Sequence, residues 1–214
     1  MKMKKSRLAK VLTLGLAAVM MFSLASCGGG DDAASGEDIT VVSREDVYKR
    51  QDFIDGALGT AEAETIVPKV REKAAGYRDA GDCVIFTRDT HGSDYLDTQE
   101  GRKLPVPHCI KGTVGWEIDP RLETAGSLVI DKPTFGSVRL TEKLSEMDRT
   151  TGLESVELVG LCTDICVISN AMLIKTTLPE VPVLVDPVCC AGVTPESHDR
   201  AVEAMKACQI DIVS

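Results

Sequence analysis

In VGLCTDICVISNAM, Val159 to Met172, an apolar strand-like run gives way through a short turn to a helix-like one. Cys166 falls near the start of that helix. Backbone N–H groups and the helix dipole stabilise a thiolate there, and the same groups could hold the oxyanion of a tetrahedral intermediate. A buried structural thiol is the plainer reading of a lone cysteine, and position at a strand-to-helix turn shifts the balance only modestly. Cys162, four residues earlier, fits a structural role. Lys132, in VIDKPTFGS, stands directly beyond another apolar run and is followed by Pro133. Its ammonium could face a ligand cleft and stabilise both the thiolate and developing negative charge, or it could be solvated in a loop. Asp89-x-His91, with His108 seventeen residues on, supplies one carboxylate and two imidazoles. Such a mixed N/O set suits Zn²⁺ or Fe²⁺ with coordination positions left open, although Asp-x-His also arises in ordinary loops. Cys109, beside His108, is either a further ligand or core. His198 reads as a solvated residue on a polar helix face.

The segments that must position these groups alternate in type. AEAETIVPKVREKAAGYRDAG carries apolar residues at helical spacing and stops at Gly81, with Pro68 expected near its first turns. Strands are expected over Cys83–Thr87, Ser127–Asp131, Val156–Leu161, Pro182–Asp186 and Gln209–Val213. All but the last are continuous apolar runs, which suits strands covered on both faces. TDICVISNAMLIKTT and TPESHDRAVEAMKAC are helical, the second with Thr194 as N-cap and Pro195 at the first helical position. Repeated β-then-α order predicts a three-layer α/β/α domain with a mainly parallel sheet and right-handed crossovers. Ligands bind such sheets at the carboxyl ends of the strands, and Asp89, His91, Lys132 and Cys166 all follow predicted strands there.

Composition narrows the partners and complicates the compartment. The net charge is −9, aromatic residues are few and no basic stripe is present, so nucleic acid is not an expected partner. Lys2, Lys4, Lys5, Arg7 and Lys10 precede the apolar run VLTLGLAAVMMFSLAS, which ends in Leu24-Ala25-Ser26-Cys27. This is the pattern of a secretory signal, too short for a spanning helix of about 20 apolar residues. Its ending resembles a bacterial lipobox with lipidation at Cys27. Residues 1–27 are therefore expected to be a lipoprotein-type signal peptide, and 28–51 a polar, Gly-rich linker. From Asp52 to Ser214 the chain suits one domain with a sizeable core. The eight cysteines form no disulfide framework and look like those of a reduced cytoplasmic protein. Leader and cysteines thus point to different places, a membrane-anchored lipoprotein and the cytoplasm.

TRDTH…EG…LP…HC…GT.GWEI, DKPTFGS and GLCTDICV together resemble the isochorismatase-like cysteine hydrolases, in particular the nicotinamidase-related amidases. The likeness runs from Asp52 to the C-terminus, with linked motifs in the right order. It implies a Rossmann-like fold, Cys166 as nucleophile, Lys132 as the lysine of the triad, and Asp89, His91 and His108 as metal ligands. It also implies a cis peptide between Leu161 and Cys162, aiming the amides of Cys162 and Cys166 at the oxyanion. The implied reaction is hydrolysis of a small amide, nicotinamide foremost, through a thioester that releases ammonia and then nicotinate. A bound metal would anchor the pyridine nitrogen. Isochorismatases of the superfamily lack that metal site, so the Asp/His/His trio tilts the substrate toward nicotinamide. Isochorismate or another small C–N substrate, and a lipid-anchored ligand-binding protein without catalysis, are the alternatives. Expected partners are a small amide, the membrane only through the leader, and a second copy of the chain in a homo-oligomer.

The family's third catalytic residue is an aspartate ending the first strand, which shuttles the proton from thiol to leaving ammonia. Asp52-Phe53 match the end of that pattern, which puts Tyr48 where the carboxylate belongs and Arg50 where a glutamine belongs. Asp46 is two residues too early, about 6.6 Å along a strand. The preceding SREDV cannot replace a central strand buried on both faces. The first strand is therefore expected to be missing or degraded and the chain to be inactive or nearly so. DVYKRQ is also one translation of GATGTGTATAAGAGACAG, which resembles the end of a transposase sequencing adaptor, so 28–51 is expected to contain a chimeric junction.

Overall fold

The computed structural model describes residues 9–15 and 51–213. Its centre is a six-stranded sheet in which every pairing is parallel. The strands are β1 (Ala9–Gly15), β2 (Cys83–Asp89), β3 (Leu128–Lys132), β4 (Leu153–Leu161), β5 (Val183–Ala191) and β6 (Asp211–Ile212), in the order β3-β2-β1-β4-β5-β6. The helices are α1 (Ala61–Asp79), the short α2 (Gln99–Lys103), α3 (Val138–Thr151), α4 (Ile168–Thr177) and α5 (Pro195–Ala207). Right-handed crossovers change direction where the order passes from β1 to β4, so α1 covers one face and α3, α4 and α5 the other. Accordingly α1 packs across β2, β4 and β5, whereas α3 packs on α4 and α4 on α5.

The central strands read as buried runs because they are buried. Val84, Ile85 and Phe86 of β2, and Val156, Leu158 and Val159 of β4, lie in one core with Ile130, Val183 and Val185. The helices bury a stripe each: Ala63, Ile66, Val67, Val70 and Ala74 of α1, and Leu140, Leu144 and Met147 of α3. The last three recur at helical spacing, a helix that the sequence pattern did not bring out. Gly81 ends the α1 region with a φ of 81°, a left-handed conformation that glycine adopts without penalty. Because α1 begins at Ala61, Pro68 lies in its interior rather than its first turns. Thr194 caps α5 as predicted, in a reciprocal capping box with Ser197.

Two elements depart from expectation in ways that matter for the site. β5 does not stop at Asp186 but continues to Ala191. The register steps from Leu158↔Val185 to Gly160↔Cys190, so Asp186–Cys189 bulge out of the ladder. The bulge accommodates Pro187, which has no N–H to give a ladder, and Asp186 Oδ1 accepts from Val188 N–H at 2.9 Å.

The second concerns the strand expected to be missing. Its place between β2 and β4 is occupied by Ala9–Gly15, drawn from the segment that reads as a leader and not from residues 43–51. Ala9–Gly15 carries a single charge, Lys10 near its start, and can enter a slot paired on both sides, whereas SREDV places three consecutive charges there. Cys27, Asp46 and Tyr48 lie outside the described residues. Among the described residues no helix is long and apolar enough to cross a membrane.

Candidate active site

β1 and β4 flank the point where strand order reverses, and a crevice opens at the carboxyl edge of a sheet at such a switch point. Here it is a cavity of about 710 Å³ lined by Phe53, Asp89, His91, His108, Cys162 and Cys166 among others. Each chemical group reaches it by a traceable route. Asp89 and Lys132 are the last residues of β2 and β3 and are register partners, so the ladder alone sets them side by side. Cys166 lies in the π-helical turn Thr163–Val167 that joins β4 to α4, after the cis Leu161–Cys162 peptide. His91 continues beyond β2 and is held to the His108 loop by His91 N–H to Cys109 O and Lys111 N–H to His91 O, both 2.9 Å.

Lys132 is the hinge of the site. It is 1% exposed, and its ammonium stands 3.3 Å from Cys166 Sγ, 3.3 Å from Asp89 Oδ1 and 3.2 Å from Thr134 O. Burial works against its charge, yet the Cys166 sulfur and the Asp89 carboxylate outweigh that and raise its pKa, so it stays an ammonium. Burial likewise pushes the Cys166 thiol up, and the opposing pull of Lys132 and of Cys162 N–H does not cancel it. The thiol therefore needs a base before it can attack. None of the carboxylates in the described residues hydrogen-bonds to it, and Ala9–Gly15 brings none to the carboxyl edge.

Asp89, His91 and His108 converge, all buried, with one ligand atom from each within 4.8 Å of the others. His108 Nδ1 lies 2.8 Å from Val106 O, so it carries the proton and leaves Nε2 with a lone pair facing inward. His91 Nε2 is buried and has no hydrogen-bond partner among the described residues. An orphaned buried nitrogen is costly unless an ion takes it up, so the donor set fits a divalent metal. Burial opposes ionisation of Asp89, but His91 and Lys132 bring its pKa below the ordinary carboxylate value, as a ligand requires.

Glu100 also belongs to this group, though the sequence pattern gave it no role. Its Oε1 stands 3.6 Å from His91 Nε2 and 3.9 Å from His108 Nε2. The signal was present in the Glu-Gly pair nine residues after His91, but only α2 turns it inward. Phe53 packs edge-on against the His108 ring at 5.4 Å. Beside it Asp52 Oδ2 accepts from Cys109 N–H at 2.7 Å, fastening the loop that carries His108. Cys109 is 1% exposed core. His198 is not simply solvated: its Nδ1 lies 2.8 Å from Oγ1 of the fully buried Thr163. Cys109, Cys162, Cys166, Cys189, Cys190 and Cys208 are thiols, not disulfides.

The isochorismatase domain family matches residues 49–214. The chain belongs to the isochorismatase family. Among isochorismatase-family relatives, a nicotinamidase/pyrazinamidase of Mycobacterium tuberculosis is 29% identical over 181 residues, covering 77% of this chain and 94% of its own. A nicotinamidase of Acinetobacter baylyi is 26% identical over 145 residues, covering 55% of this chain and 66% of its own. The crystal structure of pyrazinamidase of Pyrococcus horikoshii in complex with zinc shares the fold with a TM-score of 0.64. Its identity is 28%, over 78% of this chain and 94% of that one.

Proposed function

We propose that this chain is a nicotinamidase-type amide hydrolase whose activity is held low by the lack of a carboxylate from its first strand. Family membership and the amidase relatives support an amide hydrolase. The observation that carries the reading is the contact of one buried ammonium, Lys132, with both the Cys166 thiol and the Asp89 carboxylate at 3.3 Å. Attack by Cys166 sulfur on the amide carbonyl forms the S–C bond, and the oxyanion takes hydrogen bonds from the N–H groups of Cys162 and Cys166. The C–N bond breaks, ammonia leaves with the thiol's proton, and water then frees the acid and restores the thiol. Lys132 steadies the sulfur and the developing charge. Asp89, His91 and His108 would hold Zn²⁺ or Fe²⁺, which when bound supplies a positive charge to anchor the pyridine nitrogen. What the described residues lack is a carboxylate placed to move the proton from sulfur to nitrogen, a step worth about 100- to 10,000-fold in rate.

The test is ammonia release from nicotinamide by two proteins: the chain as it stands, and one in which residues 1–51 are replaced by an apolar strand ending in aspartate ahead of Asp52. The first should be slow and the second faster by about 100-fold or more. Equal, enzyme-like rates from both would show that the missing carboxylate does not matter. No turnover from either would favour a ligand-binding protein. A metal-free protein turning over isochorismate but not nicotinamide would move the substrate to the sister hydrolases.

A further inference from the structure

Asn170 plays no part in the chemistry above, yet it is 1% exposed and both ends of its side chain are committed. Its Oδ1 accepts from the N–H of Ser137 at 2.9 Å, and its Nδ2 donates to the carbonyl of Cys166 at 3.0 Å. The first partner can only donate and the second can only accept, so the orientation of the amide is unambiguous. Ser137 is 3% exposed and is the N-cap of α3, where its own Oγ receives Leu140 N–H. It ends the loop that begins at Lys132.

The two anchors of that loop meet at one residue. At its start the Lys132 ammonium touches the Cys166 sulfur, and at its end Ser137 is tied through Asn170 to the Cys166 carbonyl. Sulfur, ammonium, loop, serine amide and asparagine side chain form a closed ring that returns to the backbone of the same cysteine. Within it the loop lies close against α4: a Cβ added to Gly136 would come within 2.5 Å of Leu173 Cδ1. If the ring opened at Asn170, the π-helical turn bearing Cys166 and the loop bearing Lys132 could shift independently.

We infer that Asn170 is a positioning residue for the nucleophile, bracing the Cys166 backbone against the Lys132 loop so that thiol and ammonium keep their contact. The inference rests on the hydrolase reading of Cys166 and Lys132. No other short side chain meets both needs. An aspartate at this position would lose the donor and set a carboxylate against the Cys166 carbonyl, a serine would not span the gap, and a leucine would strand a buried N–H and a buried C=O together.

The test compares alkylation of Cys166 by iodoacetate and by iodoacetamide, read by peptide mass spectrometry, in the unaltered chain, Asn170→Asp and Asn170→Ser. An ammonium at the thiol draws in the anionic reagent, so the ratio of the two rates reports the contact with Lys132, whereas general loosening would raise both rates together. Lys132→Met supplies the ratio with no ammonium. In the unaltered chain iodoacetate should be favoured. In both Asn170 variants the ratio should move toward the Lys132→Met value, with Cys166 reacting about 10-fold more slowly with iodoacetate or worse. The serine variant is the smaller change and serves if the buried carboxylate prevents folding. An unchanged ratio and rate in a folded variant overturns the brace. If Cys166 in the unaltered chain reacts no faster than Cys189 and Cys190, the hydrolase reading fails and takes the brace with it.

Discussion

At the scale of single residues the site divides into groups that touch one another and groups that wait for something absent. Lys132 donates to the Cys166 sulfur and ion-pairs with Asp89, while Asp89 Oδ1 and His91 Nε2 are buried with no hydrogen-bond partner among the described residues and His108 Nε2 is turned inward by the Val106 carbonyl. The two imidazoles are where a metal would bind, with Asp89 as third ligand and Glu100 within reach. Zinc titration followed by calorimetry should give one tight site. His108→Ala should weaken it by about 100-fold, as loss of a ligand outdoes the 10- to 100-fold typical of a supporting group. Glu100→Gln should weaken it by about 10-fold. Unchanged affinity in Glu100→Gln would reduce Glu100 to a neighbour of the site with no part in holding the ion.

At the scale of elements a largely buried ionic cluster ties α1 to β4 and β5, on the far side of the sheet from α3 to α5. Lys73 of α1 reaches Asp186 Oδ2 of β5 at 2.6 Å and also pairs with Glu157 of β4, whose other oxygen takes the Tyr77 hydroxyl. Burial opposes the charge on Lys73, but Asp186 and Glu157 outweigh it and raise its pKa. A raised folded-state value means that the clamp is fully present below the pKa of a free lysine and is lost only as pH climbs through the higher, folded value. Across neutral pH its contribution should therefore be flat. Lys73→Met leaves two buried carboxylates together without a cation and should cost about 3 kcal/mol, measured by urea denaturation. Near-unchanged stability would mean that the carboxylates take up protons or water with little penalty. The same cluster fixes the β5 bulge, since Asp186 holds both Lys73 and Val188 N–H. Beyond that bulge β5 delivers Gly192 and Val193 to the cavity wall.

At the scale of the whole molecule, everything depends on what fills the place between β2 and β4. Neighbouring strands lie about 4.8 Å apart, so one strand in that place sets how far Cys166, after β4, stands from Asp89 and Lys132 at the ends of β2 and β3. Ala9–Gly15 fills it, yet cleavage ahead of Cys27 would remove those residues. Such processing would take Ala9–Gly15 out of the sheet. Deleting residues 1–27 should expose the facing edges of β2 and β4 and abolish cooperative thermal unfolding. A truncated protein melting at the same temperature as the full chain would rule out a structural role for Ala9–Gly15. Intact-mass measurement of the expressed protein, soluble and membrane fractions separately, would show whether that cleavage occurs in a cell.

Much of this is legible in the sequence. Continuous apolar runs mark β2 to β5, Thr194-Pro195 mark the start of α5, and chemistry-bearing residues at or just past the strand ends mark one rim of a parallel sheet. Those signals are local, because burial on both faces and helix capping write themselves into neighbouring residues. The approach of Lys132 to Cys166, the inward turn of Glu100, the brace at Asn170, the contact of His198 with Thr163 and the run of β5 past Pro187 join residues far apart in the chain or turn on the register of its neighbours. Only tertiary structure could decide them, since a side chain's partner is chosen by the crossovers and strand order that bring distant segments together. The same reason explains β1: a mainly apolar run with one charge near its start, Lys10, suits a leader and a strand alike, and which it becomes depends on whether a paired slot stands open to receive it.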